Sequence, residues 1–143
     1  MSAGELFLLL LVGHLLGDWV VQTDWQAANK GWKPEEWRGI DVALYGAARH
    51  AWFFSMRANQ AHCLTYHLTM AAVVLPAWHT RGTAAALAIS WVSHGFIDRR
   101  WPVRNLLRAT GSPVFAEQAW GVIAADQALH LSILAVVAFV AGV

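Results

Sequence analysis

Leu6–Val21 reads LFLLLLVGHLLGDWVV, an apolar run interrupted only by His14 and Asp18 among its titratable side chains. Extended to about residues 5–22, it approaches the ~20 residues an α-helix needs to cross a hydrocarbon core. A surface helix of a soluble bundle would carry a stripe of Lys and Glu opposite its apolar face. This run has none, so it predicts a membrane helix. His14 and Asp18 stand four residues apart and share one helical face, and Gln22 extends that face by another turn.

Three more runs have the same character, at about residues 61–78, 83–98 and 120–143. The fold expected is therefore all-α: a polytopic membrane protein with four transmembrane helices in a bundle, forming one domain over 1–143. Composition agrees, because 57% of residues are hydrophobic and only 13% charged, against ~25% charged in soluble domains. A net charge of +1 offers no basic surface for nucleic acid, and the single cysteine, Cys63, excludes an internal disulfide. Lys30 is the first basic residue. The first run thus lacks the basic start of a secretory signal and is expected to be retained.

Basic residues predict direction. Lys30, Lys33, Arg38, Arg49 and Arg57 fall in the connection 23–60, and Arg99, Arg100, Arg104 and Arg108 in the third connection; the second holds Arg81 alone. Nine of the ten Lys and Arg residues thus share one side, which the positive-inside rule makes cytoplasmic, with both termini outside. Within 23–60, Pro34 followed by Glu35 and Glu36 suits a helix start. Trp37, Ile40, Leu44, Ala48 and Trp52 recur at helical spacing, which predicts a cytoplasmic interfacial helix. Gly111, Ser112 and Pro113 mark a helix end and a turn.

The polar residues inside the runs follow a pattern. The third run carries His94 and Asp98, the fourth Asp126 and His130 in reversed order, and the second begins with His62. Because alternate spans run in opposite directions, all three aspartates come out nearer the cytoplasm, each with a histidine one turn (~6 Å) deeper. No Lys or Arg lies within a span beside Asp18, Asp98 or Asp126. Unpaired carboxylates in a medium of low dielectric cost several kcal/mol each unless they take up protons or a cation. His with Asp is a ligand set for zinc and related divalent metals. The expected metal ligands are His14, Asp18, His62, His94, Asp98, Asp126 and His130, holding one or two divalent ions, zinc foremost. An open position with water would allow hydrolysis, with Asp18, Asp98 or Asp126 as general base. Gln22 and Arg99 would orient a substrate. Against this stands the simpler use of such pairs as interhelical hydrogen-bond glue.

The stretches HLLGDWVVQTDW from His14, HCLTY from His62, SHGFIDRR from Ser93 and DQALH from Asp126 resemble, in combination, the DUF3307-like family of small bacterial and phage integral membrane proteins. The resemblance covers the four spans in order. The His-x-x-x-Asp pattern is also similar, more loosely, to the YdjM-type membrane-bound metal-dependent hydrolases. The first resemblance implies the fold and a bacterial inner membrane but no activity, and the looser one implies a metal-dependent hydrolase. The His/Asp layer leads to the same expectation, a metal-dependent hydrolase acting on a phospholipid or lipid-linked phosphate near the cytoplasmic leaflet. Two other uses of the same layer stay open. One is a proton- or ion-conducting transporter; the other is a non-enzymatic membrane protein such as a lysis, exclusion or partner-binding factor. Homo-oligomers are compatible with all three.

Overall fold

The computed structural model describes residues 1–31, 48–76 and 83–141, and within these every regular element is helical. Helix α1 (Ala3–Leu15) opens on a capping box. The Ser2 hydroxyl accepts from the Glu5 amide, and the Glu5 carboxylate accepts from the Ser2 amide at 2.7 Å, so two of the helix's unpaired donors are satisfied. The helix continues into a π-turn, Leu16–Val20, closed by the Val21 amide on the Leu16 carbonyl at 2.9 Å. Thr23 and Gln26 form a second capping box that starts the short α2 (Asp24–Asn29), with Lys30 as its C-cap. Three long helices follow: α3 (Ala48–Val74), α4 (Thr83–Ile97) and, last in the chain, α7 (Ala119–Ala141). Between α4 and α7 lie α5 (Trp101–Ala109) and α6 (Pro113–Glu117), each with proline in its first turn, where the missing N–H is harmless.

Helix α3 packs against α1 and α4, and α7 packs against the same two. The approach of α1 to α3 depends on glycine. A Cβ at Gly13 would meet Met70 Sδ at 2.6 Å, and one at Gly17 would meet Tyr66 Cδ2 at 2.8 Å. Gly13 and Gly17 are four apart, the small-xxx-small spacing that lets two helix backbones come close. One apolar cluster, with Leu6, Leu10, Met70, Val74, Leu134 and Val137, fills the interior towards the N-terminus of α1. Ile97, Val103 and Val122 form a smaller one at the other end. Between these clusters lie most of the buried polar side chains, among them His14, Asp18, His62, His94 and Asp98.

Outward faces are apolar instead. Leu68 on α3 is 62% exposed, Val92 on α4 72% and Phe139 on α7 68%. Polar groups inside and large hydrophobics outside invert the usual arrangement of a soluble bundle. Two helical stretches, Ala3–Val20 and Ala119–Ala141, are long and apolar enough to cross a membrane.

Some expectations shift. The second run belongs to a helix that begins at Ala48 rather than near 61 and is about 40 Å long at 1.5 Å per residue. Most of the interfacial helix expected over 34–52 falls in 32–47, outside the described residues; Ala48 and Trp52 belong to α3. The third connection is itself helical, with α5 and α6 joined by a turn in which Gly111 has φ +85°, a conformation glycine adopts without strain.

Candidate metal centre

Four of the seven expected ligands converge. Asp18 comes from the π-turn, His62 from α3, and His94 from α4. Asp98 lies one residue beyond α4, where its amide still reaches the His94 carbonyl at 3.0 Å and keeps the helical register. One ligand atom from each lies within 4.8 Å of every other, and all four residues are buried. His62 Nε2 is 3.0 Å from His94 Nε2, 3.1 Å from Asp18 Oδ1 and 3.2 Å from Asp98 Oδ2; His94 Nε2 is 3.1 Å from Asp98 Oδ2. These four separations are close to the ~3.3 Å between neighbouring ligands of an ion with bonds near 2.0–2.1 Å, and the other two pairs lie within 4.8 Å. An imidazole nitrogen has one proton or one lone pair, so His62 Nε2 cannot satisfy all these neighbours by hydrogen bonding. Nor do the short contacts of the Asp98 oxygens have hydrogen-bond angles. The atoms share a point rather than directed bonds. The buried Asp/His/His/Asp group could therefore hold a metal ion.

One expectation is corrected here. The aspartates were read as having no basic partner, yet Lys30 enters the group. Its Nζ lies 2.9 Å from Asp18 Oδ1, 3.1 Å from Asp98 Oδ1 and 3.1 Å from His62 Nε2. The reason is geometric: α2 turns the chain back beneath the ends of the long helices, so a connecting-segment lysine reaches inward. Arg99 holds it there, donating from Nη1 to the Lys30 carbonyl at 3.3 Å and to Ser55 Oγ at 2.6 Å. Burial alone would lower the Lys30 pKa, but the Asp98 and Asp18 carboxylates outweigh it and hold the ammonium above the ordinary lysine value. Two carboxylates facing one ammonium leave a net negative charge when the imidazoles are neutral.

The other three expected ligands lie beside this group. Tyr66 Oη is 3.0 Å from His14 Nδ1, and His14 Nε2 is 3.0 Å from Gln127 Oε1. Gln127 Nε2 then donates to Asp18 Oδ2 at 2.7 Å. Because an amide oxygen only accepts, this network assigns the His14 proton to Nε2. His14 thus positions Asp18 through Gln127, as outer partners orient metal ligands. His130 Nδ1 donates to the Asp126 backbone carbonyl at 2.9 Å and lies 3.4 Å from its carboxylate. The rings of His14, His94 and His130 cluster with centroids 4.5–6.4 Å apart, His14 stacked on His130 and edge-on to His94. His67 has both nitrogens engaged, by the Cys63 carbonyl and Ser90 Oγ.

A cleft of about 150 Å³ opens beside the group. Asp18, Asp98 and Asp126 line it together with Lys30, Arg100, Gln22 and Gln127. Gln22 Oε1 is buried with no hydrogen-bond partner among the described residues. Arg99 is not part of this lining and is buried behind it; its neighbour Arg100 faces the cleft. Sequence reasoning passed over Lys30 and Gln127 as site residues. The T-x-x-Q capping box at Thr23 signals α2 and could have brought Lys30 back towards Asp18, while nothing in the periodicity distinguishes Gln127 from Asp126.

Compared with known proteins, the chain matches no family model, no curated protein and no solved structure.

Proposed function

We propose that this chain is a four-span membrane protein of the bacterial inner membrane and a metal-dependent hydrolase for lipid-borne phosphate esters, its site towards the cytoplasm and both termini outside. The observation that carries the proposal is the convergence of Asp18, His62, His94 and Asp98, with ligand atoms within 4.8 Å of one another, beside a cleft. Two imidazoles and two carboxylates suit zinc or a neighbouring divalent metal, and the adjoining cleft would give water or a substrate oxygen access to it. When bound, such an ion supplies a hydroxide at neutral pH and polarises a phosphoryl oxygen. The apolar outer faces of α1, α3, α4 and α7 support four spans, because lipid tolerates polar side chains only in the interior. Affiliation with the DUF3307-like family belongs to the same proposal and rests on the four motifs quoted above.

The test is hydrolysis of phospholipid and lipid-phosphate substrates in mixed micelles by the purified protein, with chelator and with zinc restored. Activity should vanish on chelation, return with zinc, and be absent in Asp98→Asn. Activity indifferent to both would overturn the reading.

Lys30 favours a second reading. Its ammonium stands 2.9–3.1 Å from both carboxylates, so it can serve as a resident counter-ion in a purely structural network. The two readings part on whether the site gains or loses cation affinity when Lys30 is removed.

A further inference from the structure

The cleft beside the Asp/His group has cationic walls of unequal kind. Lys30 is committed to Asp18 and Asp98. Arg100 is not: its Nη2 donates to the Ala27 carbonyl at 3.2 Å, and it has no ion pair among the described residues. Its backbone is unusual. Arg100 is the one described non-glycine residue with a left-handed φ, at φ +63° and ψ −33°. Non-glycine residues persist there when surroundings over-determine them, and they cluster at functional sites. The surroundings are visible: Arg100 lies across Gly31, where an added Cβ would meet Arg100 Cδ at 3.0 Å. Arg100 stands between α4 and α5, two positions after Asp98, and its side chain forms part of the cleft wall.

The charges of the lining set an order of events. Three carboxylates face two cations, so the cleft carries one net negative charge with neutral imidazoles and repels an anion. A divalent ion on Asp18, His62, His94 and Asp98 reverses the sign. The cleft volume of about 150 Å³ is roughly five waters at ~30 Å³ each, room for a phosphate group. Gln22 and Gln127 add amide groups, and a half-turn of the unpartnered Gln22 amide presents its NH2 to the cleft. Two other lining residues, Trp19 and Ile123, are 60% and 48% exposed, so the mouth opens beside apolar surface.

We propose that this cleft is a phosphate subsite, with Arg100 as its fixed cation, that accepts a phosphate borne on a lipid only after the Asp/His group has taken up its metal. The proposal rests on the metal reading above and goes further by assigning the anion's binding residue and the order of binding. Arg100 meets the phosphate as a planar, permanently charged fork.

The test uses full-length protein in detergent and measures zinc, inorganic phosphate and phosphatidate binding by calorimetry, for wild type, Arg100→Gln and Arg100→Lys. Thermal melts establish that each variant is folded. Phosphate-bearing probes should bind only the zinc-loaded protein, phosphatidate more tightly than inorganic phosphate. Arg100→Gln should weaken them by about 10- to 100-fold, the loss of one charge-assisted hydrogen bond, without lowering zinc affinity. Arg100→Lys should recover part of the loss, which a merely structural Arg100 would not produce. Zinc uptake with phosphate binding unaffected by Arg100→Gln, or phosphate binding equal with and without zinc, overturns the subsite and leaves the metal reading intact. Equal affinity for inorganic phosphate and phosphatidate overturns the lipid origin of the ligand. Absence of zinc uptake overturns the metal reading and the subsite with it.

Discussion

Replacing Lys30 with methionine keeps an unbranched side chain, one atom shorter, and removes its charge. In the wild type the ammonium sits 2.9 and 3.1 Å from two carboxylates, and the three side chains are 7%, 5% and 1% exposed. Removing one partner of a buried ionic network leaves uncompensated charge, which costs about 3–5 kcal/mol. Metal-free Lys30→Met should therefore be destabilised by about that amount. The same change should strengthen metal binding. In the wild type an incoming ion must displace the ammonium, whereas the variant offers two carboxylates and two imidazoles with nothing in between. If most of the ion-pair energy opposes the metal, zinc affinity should rise by between about 10- and 1,000-fold. Excess zinc at 100 times its dissociation constant returns about 2.7 kcal/mol to the folded state. The assay is thermal unfolding in detergent at fixed protein concentration, with chelator and across a zinc titration. A variant as stable as wild type in chelator would refute the pairing. A destabilised variant whose zinc affinity is unchanged or weaker would refute the competition and leave Lys30 as a structural counter-ion.

Other outcomes follow from neighbouring residues. Gly17→Ala should lower stability by about 1–3 kcal/mol in the same melts, because its methyl would stand 2.8 Å from Tyr66 Cδ2 and cannot be accommodated without parting α1 from α3. Gln127→Leu breaks the link between His14 Nε2 and Asp18 Oδ2; zinc affinity by calorimetry should fall about 10- to 100-fold, as for other outer partners of metal ligands. The pKa of Lys30 is raised on folding, so its stabilisation is complete below the unfolded value of about 10.4. It is lost as pH climbs through the higher folded value. Melts in chelator should show an alkaline loss of stability above pH ~10.4 that Lys30→Met lacks.

Much of this arrangement is visible in sequence because of helical periodicity. Four apolar runs place His14 and Asp18, His94 and Asp98, and Asp126 and His130 on common faces. Directions assigned from Lys and Arg alone put the aspartates at one level, and the side chains of Asp18 and Asp98 do meet on Lys30 and His62. Periodicity says nothing about where a connection travels, and Lys30 was invisible for that reason. A lysine counted only as a topological anchor enters the interior because a six-residue helix with its own capping box folds back. Neither does it resolve neighbours on one turn. Asp126 carries the charge, yet Gln127 is the residue that reaches both His14 and Asp18, since its amide can donate to one and accept from the other. The left-handed Arg100 is a tertiary effect, imposed where α4 gives way to α5, and no local sequence signal announces it.

The claim that organises all of this is that Asp18, His62, His94 and Asp98 hold one divalent ion. Elemental analysis of protein purified from membranes, combined with X-ray absorption at the edge of whatever metal is found, tests it most directly. One ion per chain is expected, in a nitrogen and oxygen shell with bonds near 2.0–2.1 Å, and none in Asp98→Asn. Folded protein with no stoichiometric metal, whose melting is unmoved by chelator or added zinc, would contradict it.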